Sequence, residues 1–515
     1  MTKGILFILV NLFLSQTLVS QSCLTSGITF TTQQRIDSFP ITYPGCHSID
    51  GFVTIDGPDI FNLDSLSVIT AVKGVLTIQN TTHLSSLNGL HNVSTLGGNV
   101  NLLENKTLND LSAFSLVDTI GGGLFIQSND QLKELTGFES VKRIKGDLHI
   151  SRNPELLSLA KFTQLKSVVG NINIIVNRRL KHLYGLEGIT FQLGDIKILY
   201  NDSLLDYHGF DNLSILRGKL TIDNNPMAVD FSGFGALRET ADLIIEKTAC
   251  KNLNGFNRLA FVRGTLEFGI NPNLETLDGM DSLTQIGSWL HIARNDKLIN
   301  LQGLEHLEKI GGLIIENNDV LVSAQGLNGL KTIESSIRVL DNPKLQEIAA
   351  LIGASGVLDR ITISDNELLQ SLYGLDNLCN SPILEVIIEG NPNLTLCNTE
   401  CICAHLIQGG ANTIEGNKPG CNTREEIVTA CLVKTNDPGL ENRLRVSPNP
   451  TFDLLEIKGL GSTSFQYSIH DVYGTLKMHG YTHGPQIDLS NLSSGLYILM
   501  IETDNKITSH RIVKQ

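Results

Sequence analysis

The sequence predicts a mainly β protein: a β-solenoid of about fifteen coils, each 23–25 residues long, followed by a small C-terminal β-sandwich. Three observations predict it. Apolar strand starts recur at Val53, Leu76, Val100, Leu124, Leu148, Ile172, Ile196, Leu220, Leu243, Leu266, Leu290, Leu313, Ile337, Ile361 and Val386, at spacings of 23 to 25 residues. One polar residue recurs with them, five positions after its strand start: Asn105, Asn129, Asn153, Asn177, Asn201, Asn225, Asn271, Asn295, Asn318, Asn342, Asn366 and Asn391. After Lys434 the period stops, and short apolar segments bounded by turn residues replace it.

The chain opens on a leader. Lys3 precedes an apolar run from Gly4 to Leu14, and the small residues Ser20 and Ser22 follow. That order marks a secretory signal over residues 1–20, cut near 20–22. The run is too short to span a membrane, and no later stretch is long and apolar enough to do so. Ser20 stands where a lipobox usually has Leu, which argues against a lipid on Cys23. A net charge of −14 keeps the chain soluble and argues against nucleic acid, whose phosphates need a basic surface. With 41% hydrophobic and 18% charged residues, a large core is expected rather than disorder.

Each coil has the same internal logic, clearest from Leu290 onward. Leu290 and Ile292 alternate with His291, as in a strand with one buried face. Apolar residues then fall every third position through Leu298, Leu301, Leu304, Leu307 and Ile310, so the chain turns several corners around one interior. A single coil cannot cover its own apolar edges and must stack on its neighbours. Recurrent glycine, as at Gly89, Gly137, Gly185, Gly209, Gly279, Gly303, Gly326 and Gly374, disfavours a helical reading. The repeated Asn forms an inward ladder, since an amide can donate and accept between stacked coils. Pro154, Pro226, Pro272, Pro343 and Pro392 follow it directly and fix the corner.

Of nine cysteines, Cys23 and Cys46 lie near one end, Cys379, Cys397, Cys401, Cys403, Cys421 and Cys431 near the other, and Cys250 alone between. Export makes disulfides at the two ends the first reading. Zinc on Cys397, Cys401, Cys403 and Cys421 is the alternative, weakened by the lack of a paired C-x-x-C. Cys250 falls near a repeated core Leu position and reads as a buried free thiol.

The motif I-x-x-N-x-x-L-x-x-L-x-G-L resembles leucine-rich repeats. More closely it resembles the receptor L-domain repeats of insulin and growth-factor receptor ectodomains, and above all long bacterial arrays that open on a segment like Ile28-Thr-Phe-Thr-Thr. The resemblance covers residues 23–434 and implies a right-handed solenoid over 53–396. It implies an N-terminal cap over 23–52 with a Cys23–Cys46 bridge, and a Cys-rich C-terminal cap over 397–434, with Cys397, Cys403, Cys421 and Cys431 paired among themselves. The array is continuous, unlike the two short L domains of the receptors, so a growth-factor-like ligand is not implied.

A polar linker over 435–446 leads to Ser447-Pro-Asn-Pro-Thr451. Strands are expected at 454–458, 466–473, 486–489, 495–502 and 506–513, enough for a small β-sandwich. Five motifs in order resemble the type A C-terminal sorting domain of type IX secretion over residues 447–515: Pro448-Asn449-Pro450, the run from Ile469 to Gly474, the run from Ile487 to Ser490, the run from Ser494 through Gly495 to Tyr497, and Ile512-Val-Lys514. This resemblance implies the type IX machinery as a partner and passage to the exterior or outer cell surface of a Gram-negative bacterium. The passenger is then released or attached to surface lipopolysaccharide.

No catalytic, cofactor or metal motif emerges: there is no H-E-x-x-H, G-x-S-x-G or phosphate loop. Glu134, Glu275 and Glu347 lie at different repeat positions, which suits a solvated face better than a paired acid and base. Binding through an extended face is therefore expected, to protein or glycan. A secreted polysaccharide-active hydrolase and a structural surface-layer component are the alternatives. Outward strand positions make Phe125, Ile175, Lys197 and Leu199 candidate contacts, with Ile175 and Leu199 as neighbours on adjacent coils, Tyr200 beside them, and Trp289, directly before a strand where Gly or Asp is commoner, as a further anchor.

Overall fold

The computed structural model describes residues 22–378, 383–435, 445–447, 451–458, 465–471, 476–482, 484, 486–503 and 506–514. The leader, Cys379, Pro448, Asn449, Pro450 and Gly474 lie outside the described residues. The chain divides into two compact units, one ending at Val428 and the other beginning at Thr429.

The first unit is a β-solenoid of about 16 turns. Four-residue strands such as Leu124–Gln127, Leu148–Ser151 and Ile172–Ile175 pair in parallel with their equivalents one coil away. Their first and third side chains are buried and their second is half-exposed, as the alternation dictates. The stack gains one rung at each end beyond the repeats read from the sequence. Ile28–Phe30 pairs with Val53–Ile55, and Ala411–Glu415 pairs with Glu385–Glu389. A second, narrower set of two-residue parallel strands runs alongside, for example Thr119–Ile120 beside Arg143–Ile144. In two coils the strands are continuous through the corner, at Gln285–Ala293 and Lys309–Glu316, which joins the two sheets there.

The corner after each strand carries a left-handed residue, at φ +54° for Arg152, +58° for Val176 and +58° for Tyr200. Such a conformation costs L-residues about 1–2 kcal/mol, so something must hold it. The next residue, the repeated Asn, supplies the restraint. Asn153 Nδ2 donates to Ser151 O at 3.0 Å in its own coil and to Ile126 O at 2.9 Å in the preceding one. Asn153 N donates to Asn177 Oδ1 at 3.2 Å in the following coil. The column starts at Thr81, whose hydroxyl donates to Asn105 Oδ1 at 2.8 Å. It closes at Asn417, whose N–H donates to Asn422 Oδ1 at 2.9 Å. At Thr248 a threonine replaces the amide and its hydroxyl donates to Asn271 Oδ1 at 2.9 Å.

Farther around the coil, Gly303 sits at φ +108°, and a Cβ there would meet Leu277 O at 2.2 Å. The recurrent glycine thus answers both a left-handed turn and close stacking. Aromatic rings also stack from coil to coil: Phe114, Phe138 and Phe162 at 5.8 and 5.6 Å, then Phe210, Phe234 and Phe256 at 5.6 and 5.4 Å.

Both ends are covered. At the start, Cys23 and Cys46 are bonded with Cα atoms 5.7 Å apart. Phe30, Ile36 and Phe39 are buried there, with the rings of Phe30 and Phe39 5.6 Å apart. At the other end Cys397 is bonded to Cys421, and Cys401, Cys403 and Cys431 are also in disulfides. Helix Glu400–Ile407 is capped by the Thr399 hydroxyl, which accepts from Ile402 N. Cys250 is buried and free; burial pushes its thiol up to about 12, so it stays protonated and inert.

The second unit contains a three-stranded antiparallel sheet of Arg445–Ser447, Leu454–Lys458 and Gln486–Asp488. A four-stranded one is ordered Leu476–Thr482, Phe465–Asp471, Gly495–Thr503, Lys506–Lys514. Leu455, Ile457, Ile469, Ile487, Leu499 and Ile512 form its core. Two of these strands, Arg445–Ser447 and Leu476–Thr482, are absent from the sequence reading. Gly495 pairs with Lys514, whose buried ammonium meets Asp453 Oδ1 at 2.7 Å.

Candidate functional site

The strands place the candidate contacts along one face. Ile175 and Leu199 are register partners on adjacent coils, both half-buried. Tyr200 follows at the left-handed corner and is 42% exposed. Lys197 lies between Asn173 and Thr221 in the neighbouring column. Ser151 and Asp223 flank the apolar pair on either side, so the pair has a polar rim. Leu103 and Leu340 stand in the same column but are separated from the pair by other residues, Leu103 by Gln127 and Ser151.

Phe125 and Trp289 are less available than outward positions suggest. The Phe125 ring lies over Gly123, where a Cβ would approach it to 2.6 Å, and stands 6.1 Å from the His149 ring. The Trp289 ring covers Gly312 on the next coil, where a Cβ would come within 2.3 Å. Both side chains are half-buried. Much of each ring fills space left by a glycine instead of facing solvent.

Beside the apolar pair the same face turns polar. Lys247 Nζ meets Asp223 Oδ1 at 3.1 Å. His291 stands between two carboxylates, with Nδ1 3.3 Å from Glu267 Oε1 and Nε2 3.0 Å from Glu316 Oε1. Sequence spacing leaves His291 without a visible partner. Column register finds both, because Glu267 pairs with His291 directly and Glu316 sits two positions along the next rung. The hydrogen bond to Glu267 holds the imidazole above its ordinary pKa of 6.5 against the opposing effect of burial. Nearby, burial and the Glu267 charge push Glu246 up.

A raised folded-state pKa means the charged imidazole stabilises the fold below pH 6.5, and that contribution is lost as pH rises through the raised value. His291→Gln should therefore destabilise the protein more at pH 5.5 than at pH 8.5, read from urea midpoints of both proteins. An equal difference at the two pH values would refute the linkage.

Among the described residues no three His, Cys, Asp or Glu side chains converge to hold a metal ion. No helix among them is long and apolar enough to cross a membrane. Residues 45–137 match the family model of the receptor L domain, and residues 445–515 match that of the secretion system C-terminal sorting domain. No curated protein matches the chain.

Proposed function

We propose, for a chain that joins a receptor L-domain-like solenoid to a secretion sorting domain, that it works as an exported binding protein and not as a catalyst. Its destination is the outer cell surface of a Gram-negative bacterium, where the strand face meets a protein or glycan partner and serves adhesion. The observation that carries this reading is the register pair Ile175 and Leu199, extended by exposed Tyr200 and rimmed by Ser151, Lys197 and Asp223. Apolar side chains with a polar rim form the centre of many recognition surfaces. A rigid sheet also presents them at little ordering cost.

The test is a double substitution, Ile175→Ser with Leu199→Ser, in the mature chain screened against immobilised surface proteins and glycans. Binding should weaken at least about tenfold, the loss of ~1.4 kcal/mol, while the far-ultraviolet circular dichroism is retained. Full binding by the double variant would sink this face as the contact surface.

A further inference from the structure

The stack has a flaw on its turn side, midway along. In regular coils the next core residue comes three positions after the ladder residue, as Ala228 after Asn225 and Leu274 after Asn271; Cys250 comes only two after Thr248. Many neighbouring turns are tied by backbone bonds, among them Leu157 N to Lys133 O at 3.0 Å, Lys181 N to Leu157 O at 3.2 Å and Leu205 N to Lys181 O at 3.0 Å. The series resumes at Glu275 N to Lys251 O, at 2.8 Å. Between these points the shortened turn draws back from its neighbour, and a recess of about 570 Å³ opens.

Its polar lining is Asp230, Ser232, Lys251, Asn252, Asn254 and Asn257. Two of the amides are pinned. Asn252 Oδ1 accepts from Asn254 N at 3.2 Å, and Asn257 Oδ1 accepts from Gly255 N at 3.1 Å. Both charges in the lining are already answered, since Lys251 Nζ lies 3.3 Å from Glu275 Oε1 and Asp230 Oδ1 accepts from the Ser232 hydroxyl at 2.7 Å, so neither is left to select an anion or a cation. Val229, 63% exposed, contributes an apolar edge.

A track of side chains leads into the recess from the coils before it. His182 and Tyr184 stack at 5.0 Å, and Tyr184 and His208 at 6.2 Å. His208 Nδ1 lies 2.6 Å from Asp211 Oδ1, and its Nε2 lies 3.3 Å from Ser232 Oγ. These residue types suggest a nucleophile and its base, but the Ser232 hydroxyl donates to Asp230 Oδ1 at 2.7 Å. The imidazole contact therefore runs from ring N–H to Oγ, opposite to the direction a general base requires. The tyrosine ring remains 41% exposed.

We propose that this recess and the Tyr184 platform form a binding site for a neutral oligosaccharide. Asn252, held through its Oδ1, presents its Nδ2 as a donor, and the Asn254 amide beside it adds a donor and an acceptor, a set that matches adjacent hydroxyls on a sugar ring. An exposed phenol ring offers a flat face for the ring's C–H groups. At ~4.8 Å per coil, Tyr184 to Asn254 spans three coils or about 14 Å, the reach of several linked sugars and not of one. The site lies on the turn side, away from Ile175 and Leu199, so it stands or falls independently of the strand-face partner.

The mature full chain would be titrated calorimetrically with a panel of neutral β-glucan, mannan, xylan and galactan hexamers. One class should bind, and Asn254→Ala and Tyr184→Ala should each weaken it about tenfold, the worth of one well-made contact. Ala249→Tyr, which fills the recess, should remove binding altogether. The Ile175→Ser, Leu199→Ser double variant should bind the sugar as the wild type does. No heat with any hexamer, or wild-type affinity in Asn254→Ala and in Tyr184→Ala, overturns the proposal.

Discussion

Replacing Asn177 by alanine should lower the stability of the solenoid by roughly 2–6 kcal/mol. The side chain serves two backbone groups in the coil before it: Nδ2 donates to Ile150 O at 2.9 Å, and Oδ1 accepts from Asn153 N at 3.2 Å. Asn177 is fully buried, so water does not replace the lost partners. Each stranded group costs about 1–3 kcal/mol, which sets the range. Chemical denaturation gives the total, and hydrogen exchange shows where it falls. Residues 148–153 should lose protection before distant coils do, because each coil touches only its neighbours. A variant within ~0.5 kcal/mol of the wild type would remove the ladder as a major source of stability.

Deleting residues 445–515 should abolish passage across the outer membrane in a host with type IX secretion. The chain should then accumulate in the periplasm, as read by fractionation and immunoblotting. The sorting unit has a hydrophobic core of its own, drawn from residues between Leu455 and Ile512, so the deletion removes a folded part. The excised segment coincides with the sorting-domain match. Export of the truncated chain at the level of the intact one would show that the address lies elsewhere.

The period was legible because every coil solves the same packing problem with the same residues at the same places. The ladder was legible for a related reason, since an amide kept at one position in twelve coils has a repeated task. What escaped were features that need lateral register. Glu267, His291 and Glu316 look unrelated along the chain and become neighbours only once strands are aligned across coils. The recess escaped because a coil one residue short barely disturbs a mean period, yet it opens a turn that has no slack to close.

In the sorting unit, Leu476–Thr482 was missed because it is an edge strand carrying Lys477, His479 and Gly480. With only one flanking strand, such a segment does not need the apolar density of the central strands. Trp289 shows a contact of the same lateral kind. A large ring at an outward position suggests an anchor, but the sequence signal that it covers a neighbour is Gly312, which must first be placed beside it.

The asparagine column also gives the stack a direction. Along the column the main-chain N–H of a ladder residue, as at Asn129, Asn153 and Asn177, donates to a side-chain oxygen of the coil that follows. Cutting the column from its start strands side-chain atoms, which can rotate toward water. Cutting it from its finish strands a main-chain N–H locked in a corner, which cannot. The two terminators differ accordingly: a lone threonine suffices at Thr81, whereas the finish needs Asn417 backed by Asn422 within a disulfide-bonded cap. A chain emerging amino end first would carry one unanswered corner at its leading edge of growth, handed from coil to coil until the cap arrives to receive it.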